Sequence, residues 1–358
     1  MNILYVTYLD MSNHQDSGSG IRPVRMYKAL LDEGHSVKLL SGNCGRGDGA
    51  ARKKAVREIM DWLKDNRPDL CYIESPTYPI MFQCDYDLIR KLHKMQVPIG
   101  YFYRDFYRKF PELFPRRKGL FNTLKEIYLD YLQFKTDRIL RLADVVYFPS
   151  ESCFQWFSYQ RMKALPPAGF DRLPESREHS HTVIYVGGIS QLYSGDMLLD
   201  AMQELNRRDS SYRLILVCRE AEWKAMEHPC KDAPWLEVHH ASGDALAPLY
   251  ARASAAIIGK RENTYNALAI SVKIFEYMSF GLPQVIFDNL ESGKLLRKEK
   301  IGIPVEPTAT AMADALEQLL RDEKLYGTYQ ANIRDALLNR HLWNHRVRQI
   351  VADLTETQ

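Results

Sequence analysis

The 358-residue sequence predicts an α/β protein built on two parallel sheets, each covered by helices. Three observations predict it. Short apolar runs rich in β-branched residues alternate with longer stretches of helical period. The alternation occurs twice. A proline- and charge-rich stretch, "LPPAGFDRLPESREHSH" from 165 to 181, separates the two rounds. The length exceeds what one core serves comfortably, and an apolar content of 46% suffices for two.

In the first round the strands are "NILYVTY", "SVKLLSG", "LCYIES", "PIGYFY" and "VVYFPS", with helices between them, notably 22–34 and 121–142. In the second they are "TVIYVGG", "RLILVCR", "LEVHH", "AAIIG", "PQVIF" and "GIPVE". The expected domains are 1–165 and 182–340, joined by a linker over 166–181. A last helix, from about "HLWNHRVRQIV", follows the second sheet without having to belong to it.

Composition narrows the function classes. A formal charge of +3 is too mild to imply nucleic acid unless the basic residues cluster. Six cysteines without a CxxC or paired histidines suggest neither a disulfide framework nor a zinc site, which fits a reducing cytoplasm and no metal. The opening "MNILYVTY" reads as a strand rather than a signal peptide, and no apolar run approaches the roughly 18 residues of a membrane span. The expectation is a cytoplasmic chain, at most peripheral on a membrane.

After the first strand, Gly18 and Gly20 make a glycine turn, but Pro23 occupies the third glycine position of GxGxxG. The second strand ends in Ser41 and Gly42, without the acid that holds a dinucleotide ribose. A nicotinamide cofactor is disfavoured, and no GxxxxGK[ST] occurs. What remains is a turn delivering N–H groups toward an anion or a sugar hydroxyl, or a plain strand-to-helix turn.

The stretch "SVKIFEYMSFGLPQVI", 271–286, raises a sharper question, because it sets Lys273 and Glu276 in an apolar helix start. A helix opening at Ser271 presents free N–H groups and the positive end of its dipole beside the Lys273 ammonium, an arrangement for a diphosphate. Glu276 lies on the same face, where vicinal ribose hydroxyls would satisfy it. The alternative is an internal Lys273–Glu276 pair on a solvated stripe.

This stretch resembles the nucleotide-binding signature of GT-B glycosyltransferases, in particular family 4 of retaining nucleotide-sugar enzymes. The resemblance extends over the glycine turn with "ALLDEGHSVKLLSG", then "VVYFPSES", "VIYVGGISQLYSGDMLLDAM" and "GIPVEPTATAMADALEQLLRD…HLWNHR". It implies two Rossmann-like domains facing across a cleft, the donor on the C-terminal domain, the acceptor on the N-terminal one, and a final helix, 341–358, crossing back to the first domain. Glu276 would grip the nucleotide ribose, and Gly187 and Gly188 would border the donor.

The chain also departs from that pattern. Leu268 stands where many members have the first glutamate of Glu-x7-Glu. Gly188 and Ser194 stand where many have an arginine and a lysine for the diphosphate. Without such cations much of the stabilisation of a departing phosphate would be lost, so Lys260, Arg261 and Lys273 are the expected substitutes. In the N-terminal domain the candidates are Asp105 and Arg104 as catalytic groups, where members often have a histidine, and Gly18, Gly20, Glu74 and Ser75 for the acceptor. In a retaining front-face reaction of this kind the departing phosphate oxygen deprotonates the acceptor, and no enzyme nucleophile is needed.

The basic residues cluster in one place, where Arg108, Lys109, Arg116, Arg117 and Lys118 are interleaved with aromatic residues. Residues 106–121 are thereby the expected contact to an anionic membrane surface, or else a loop packed by its own aromatics. The combined expectation is transfer of a sugar from a nucleotide-sugar to a lipid-linked or polysaccharide acceptor with retention, in cell-surface glycan synthesis. The alternative is a catalytically silent GT-B subunit that binds a glycan or a partner protein.

Overall fold

In the computed structural model, residues 1–11, 18–116, 119–261 and 263–356 are described. The first round of elements is β1 (Asn2–Val6), α1 (Gly18–Asp32), β2 (Ser36–Leu40), α2 (Gly49–Asp65), β3 (Leu70–Glu74), α3 (Gln83–Lys94), β4 (Ile99–Phe102), α4 (Leu120–Ile139), β5 (Val145–Phe148) and β6 (Met162–Ala164). The second is β7 (Thr182–Val186), α5 (Gly195–Arg208), β8 (Arg213–Val217), α6 (Glu220–Ala225), β9 (Leu236–His239), α7 (Ala247–Arg252), β10 (Ala255–Ile258), α8 (Val272–Ser279), β11 (Gln284–Phe287), α9 (Leu290–Glu299), β12 (Gly302–Val305), α10 (Ala309–Arg321) and α11 (Glu323–Arg340), after which comes α12 (Trp343–Thr355). Among the described residues no helix is long and apolar enough to cross a membrane.

Contacts divide the chain into two compact units, residues 1–166 with 343–358, and residues 167–342. In the first unit the all-parallel strand order is β2-β1-β3-β4-β5-β6. Strands β3, β4 and β5 are buried along their whole length, as parallel strands covered on both faces must be. Helix α12 completes this unit. The Tyr147 hydroxyl donates to Asp353 at 3.1 Å, Arg346 donates to the Pro166 carbonyl at 3.0 Å, and Arg348 pairs with Glu33 at 2.7 Å. Arg52 of α2 is enclosed in the same unit, donating to Asp85 at 3.0 Å and to the Thr7 carbonyl at 2.9 Å.

The second unit has the order β12-β11-β10-β7-β8-β9, again all parallel. Alternate residues of its strands serve two cores: Val183 and Tyr185 point to the side packed with Leu198 and Leu316, and Ile184 to the side packed with Ile274 and Met278. The order reverses direction between β7 and β10. Such a reversal leaves a crevice at the carboxyl ends of the strands, which is where doubly wound sheets bind ligands.

Residues 167–181, expected as part of a linker, belong to this second unit. The Gly169 N–H donates to the His341 carbonyl at 2.8 Å, the Phe170 N–H donates to Ser279 Oγ at 2.9 Å, and Arg177 donates to the carbonyls of Tyr250, Ala253 and Phe280. Low apolar content marked an absence of regular structure, but polar bonds anchor the segment all the same.

The packing of α12 yields a test. Ile350 is fully buried in the first unit, so Ile350→Ala should cost about 2–5 kcal/mol of that unit's stability in urea unfolding. A change below about 0.5 kcal/mol would show that α12 does not pack as described.

Candidate functional site

The reversal point of the second sheet gathers most of the residues singled out in that half. Strand β7 runs into Gly187 and Gly188, and the first turn of α8 lies against them. Gly187 adopts φ +146°, which favours glycine, and a Cβ there would fall 2.2 Å from Lys273 Nζ, so any other residue would displace the Lys273 ammonium from its place. Lys273 Nζ donates to the Tyr185 hydroxyl at 3.1 Å and stands over the rings of Tyr185 and Tyr193, 4.6 and 4.8 Å from their centroids. Burial, then the charge of Lys260, pushes its pKa down to about 8, against opposing pulls from Glu276 and Glu222. Burial lowers Lys260 as well. Lys260 follows β10 and lines a hollow with Ser271, Asn289 and Ser292.

Ser271 stands at the N-cap of α8 without a side-chain capping bond, so it leaves the first N–H groups of the helix to another acceptor. Its own N–H reaches Ser292 Oγ at 3.5 Å, joining the start of α8 to that of α9, which Asn289 caps. Glu276, one turn into α8, lies beside Tyr250 of α7. Burial, then the Glu276 carboxylate, holds the Tyr250 phenol above its ordinary range, although the two are not aligned as a formed hydrogen bond. Two ammonium groups, a guanidinium, open N–H donors and a carboxylate one turn away can bind an anion and the hydroxyls attached to it.

The departures at Gly188 and Ser194 have a physical reason here. A Cβ on Gly188 would meet the Tyr193 ring at 3.0 Å and Glu222 Oε2 at 3.2 Å, while the same Glu222 oxygen accepts from the Ile189 N–H at 2.8 Å. A larger side chain there would have to push the Tyr193 ring and Glu222 aside. Ser194, fully buried and left-handed at φ 51°, accepts from Arg261 Nε at 3.1 Å. A guanidinium thus reaches the place where the resemblance leads one to expect a lysine. Leu268 is buried.

Residues 180–322 match the family described as glycosyl transferases group 1. The match lies within the C-terminal unit. The fold agrees over the whole chain. HepE from Anabaena in complex with UDP is similar at 15% identity and a TM-score of 0.68, with 99% of this chain and 100% of that one covered. A glycosyltransferase from Rickettsia africae is similar at 14% and 0.66, covering 99% and 98%. WaaG, a glycosyltransferase involved in lipopolysaccharide biosynthesis, is similar at 15% and 0.61, covering 97% and 98%. These likenesses show the GT-B fold of two Rossmann-like domains. A search of curated proteins returned no match.

In the N-terminal unit the structure corrects several expectations. Gly18 and Gly20 lie in the first turn of α1 rather than in a turn before it, and residues 12–17 fall outside the described residues. Glu74 is 1% exposed, accepting from Arg22 Nε at 3.0 Å and from the Tyr72 hydroxyl at 2.8 Å, so its carboxylate neutralises Arg22 inside the unit instead of facing an acceptor. Ser75 is buried too, its Oγ accepting from the Arg104 N–H at 2.9 Å. Arg104 pairs with Asp105 at 2.9 Å and donates to Thr77 Oγ1 at 2.9 Å. Ser75, Arg104 and Asp105 therefore sit together beyond the carboxyl ends of β3 and β4, the last two half-buried.

The basic aromatic segment also differs from expectation. Phe106 and Phe110 are buried among Tyr103, Phe148, Phe157 and Trp156, Arg108 pairs with Glu126 and Asp130, and Arg116 pairs with Asp130. Arg117 and Lys118 lie outside the described residues. Sequence reasoning missed Tyr185, Tyr193, Glu222 and Tyr250. Nothing in their spacing marks aromatic residues that face a lysine from another element.

Two tests follow from this geometry. Because folding lowers the Lys273 pKa to about 8 from 10.5, the unfolded chain holds the proton more firmly between those values, and wild-type stability should rise with pH across that window. Below pH 8 the buried charge is a full cost. Lys273→Met should therefore raise the melting temperature at pH 7, flatten that pH dependence and abolish nucleotide binding; a lower melting temperature would contradict the assignment. For the buried pair, Glu74→Ala strands the Arg22 guanidinium and should cost about 3–5 kcal/mol in urea unfolding. Asp105→Asn should cost about 1 kcal/mol or less, and the reverse order would return Glu74 to the ligand-facing candidates.

Proposed function

We propose that the protein transfers a glycosyl group from a nucleoside-diphosphate sugar to a glycan or lipid-linked acceptor with retention of configuration, on the cytoplasmic face of a membrane where cell-surface glycans are built. The observation that carries this reading is the pairing of Lys273 with Lys260 at the strand-order reversal, where burial lowers both and α8 begins. An ammonium that burial and the charge of a second ammonium both depress is poorly placed for stability and well placed for a diphosphate. Support comes from the group 1 match over this unit and from the similarity to HepE, solved with UDP and with UDP-glucose.

In this reading the diphosphate lies against the start of α8 between Lys273 and Lys260, with Arg261 at its flank, and Glu276 accepts from the ribose hydroxyls. These side chains supply the neutralisation, and no metal ion is assigned. The bond from the anomeric carbon to the phosphate oxygen breaks as charge moves onto the diphosphate, and the cations stabilise that charge. The bond from the acceptor oxygen to the same carbon forms on the same face, and the acceptor proton passes to the departing phosphate oxygen. Arg104 and Asp105 are the residues of the N-terminal unit assigned to contact the reacting sugar, and Ser75 positions Arg104.

A binding-only subunit is the competing reading, favoured by Leu268 where the resemblance leads one to expect a carboxylate. Incubation of the purified protein with UDP-, GDP- and dTDP-sugars separates the two, because a competent transferase releases nucleoside diphosphate slowly to water and a binding subunit releases none. Glu276→Gln should weaken nucleotide binding about 10- to 100-fold in calorimetry, the loss of a charge-assisted hydrogen bond. Unchanged affinity would remove Glu276 from the site.

A further inference from the structure

Helix α4 carries an apolar face that the first unit does not cover. Leu120, Phe121, Leu124, Ile127, Tyr128, Tyr131 and Phe134 are all exposed, Leu120 at 81%, Phe121 at 72% and Phe134 at 64%. At 100° per residue they form one stripe, about 22 Å long at 1.5 Å rise per residue. The opposite side of α4 is the buried one, with Leu129, Leu132, Thr136 and Ile139. Isolated exposed apolar residues are ordinary, but a contiguous stripe of this length marks a contact surface.

Charge says what the surface meets. Residues 106–141 hold nine Lys and Arg against four Asp and Glu, a net +5 in a chain whose total is +3, so the rest of the molecule is net negative. Three of those four carboxylates lie on α4 and are engaged at its flank: Glu126 by Arg108, Asp130 by Arg108 and Arg116, and Asp137 by Gln133 and Tyr159. None interrupts the stripe. Lys125 and Arg138 are exposed beside it, and Lys135 stands over the Tyr131 ring, 5.5 Å from its centroid. Aromatic residues mixed with leucine and isoleucine and bordered by cations suit the boundary between headgroups and acyl chains.

We infer that the outward face of α4 is a docking surface for an anionic lipid bilayer. Its stripe lies in the interface, and the cations beside it meet the headgroups. The surface is distinct from the nucleotide site, and the inference does not depend on which sugar is transferred.

Co-sedimentation of the full-length protein with phosphatidylglycerol vesicles and with phosphatidylcholine vesicles, at low and high salt, tests it. Binding is expected on the anionic vesicles, reduced by salt through screening. Phe121→Ser, Ile127→Ser and Phe134→Ser combined should weaken it by more than about tenfold, with the thermal melt and nucleotide affinity unchanged because all three side chains are exposed. Equal recovery on phosphatidylcholine, no binding to phosphatidylglycerol, or full binding by the triple variant would overturn the inference. So would a wild-type dimer, seen by analytical ultracentrifugation, that the triple variant dissolves.

Discussion

A lysine ammonium held against two tyrosine rings at the start of a helix is the constraint on which the C-terminal unit turns. Lys273 can occupy its place only because Gly187 has no side chain, Tyr185 offers a hydroxyl and a ring face, and β7 ends where α8 begins. Each of those conditions costs something. The glycine gives up a side chain, the lysine gives up hydration, and the neighbouring Lys260 adds repulsion. An anion bound at this point would relieve all of the electrostatic cost at once, which is why the arrangement is better explained by binding than by stability.

The same economy explains the loop that follows. Gly188 and Ser194 look like losses beside a resemblance that calls for two cations, yet Tyr193 and Glu222 fill the space at the first position and Arg261 reaches the second. Charge has been moved from the loop to the strand end and the helix start. The first unit treats its charges differently. Arg22 with Glu74 and Arg52 with Asp85 are buried pairs that neutralise one another within the core. Buried pairs of this kind are expensive to break and add little net stability, so their contribution is to fix one arrangement of strand ends and helices.

The regular framework was legible in the sequence because parallel strands covered on both faces need continuous apolar runs. All the strands expected from such runs are present. β6 was not legible, since its three residues are only half-buried and carry no apolar pattern. In the site, Lys273 and Glu276 were legible because both lie on one helix whose start is marked by its own residues. Glu74 was misread because what decides its role is Arg22, 52 residues away in the chain, and no local pattern reports that pairing. The aromatic residues near 106–121 were misread for a related reason. Phe106 and Phe110 are of the same type as Phe121 and Phe134, and only the direction in which each faces the core separates packing from exposure.

The central claim is that the Lys273 ammonium is held, in the protein alone, in an environment that favours giving up its proton and that an anion would reverse. Carbon-13 NMR titration of lysine-labelled protein tests it most directly, with the Lys273 resonance identified by its loss in Lys273→Met. The account predicts titration at about pH 8 in the free protein and a return toward the ordinary value of about 10.4 when a nucleoside diphosphate is bound. Titration at the ordinary value in the free protein, or a midpoint that the nucleotide leaves unmoved, would contradict it.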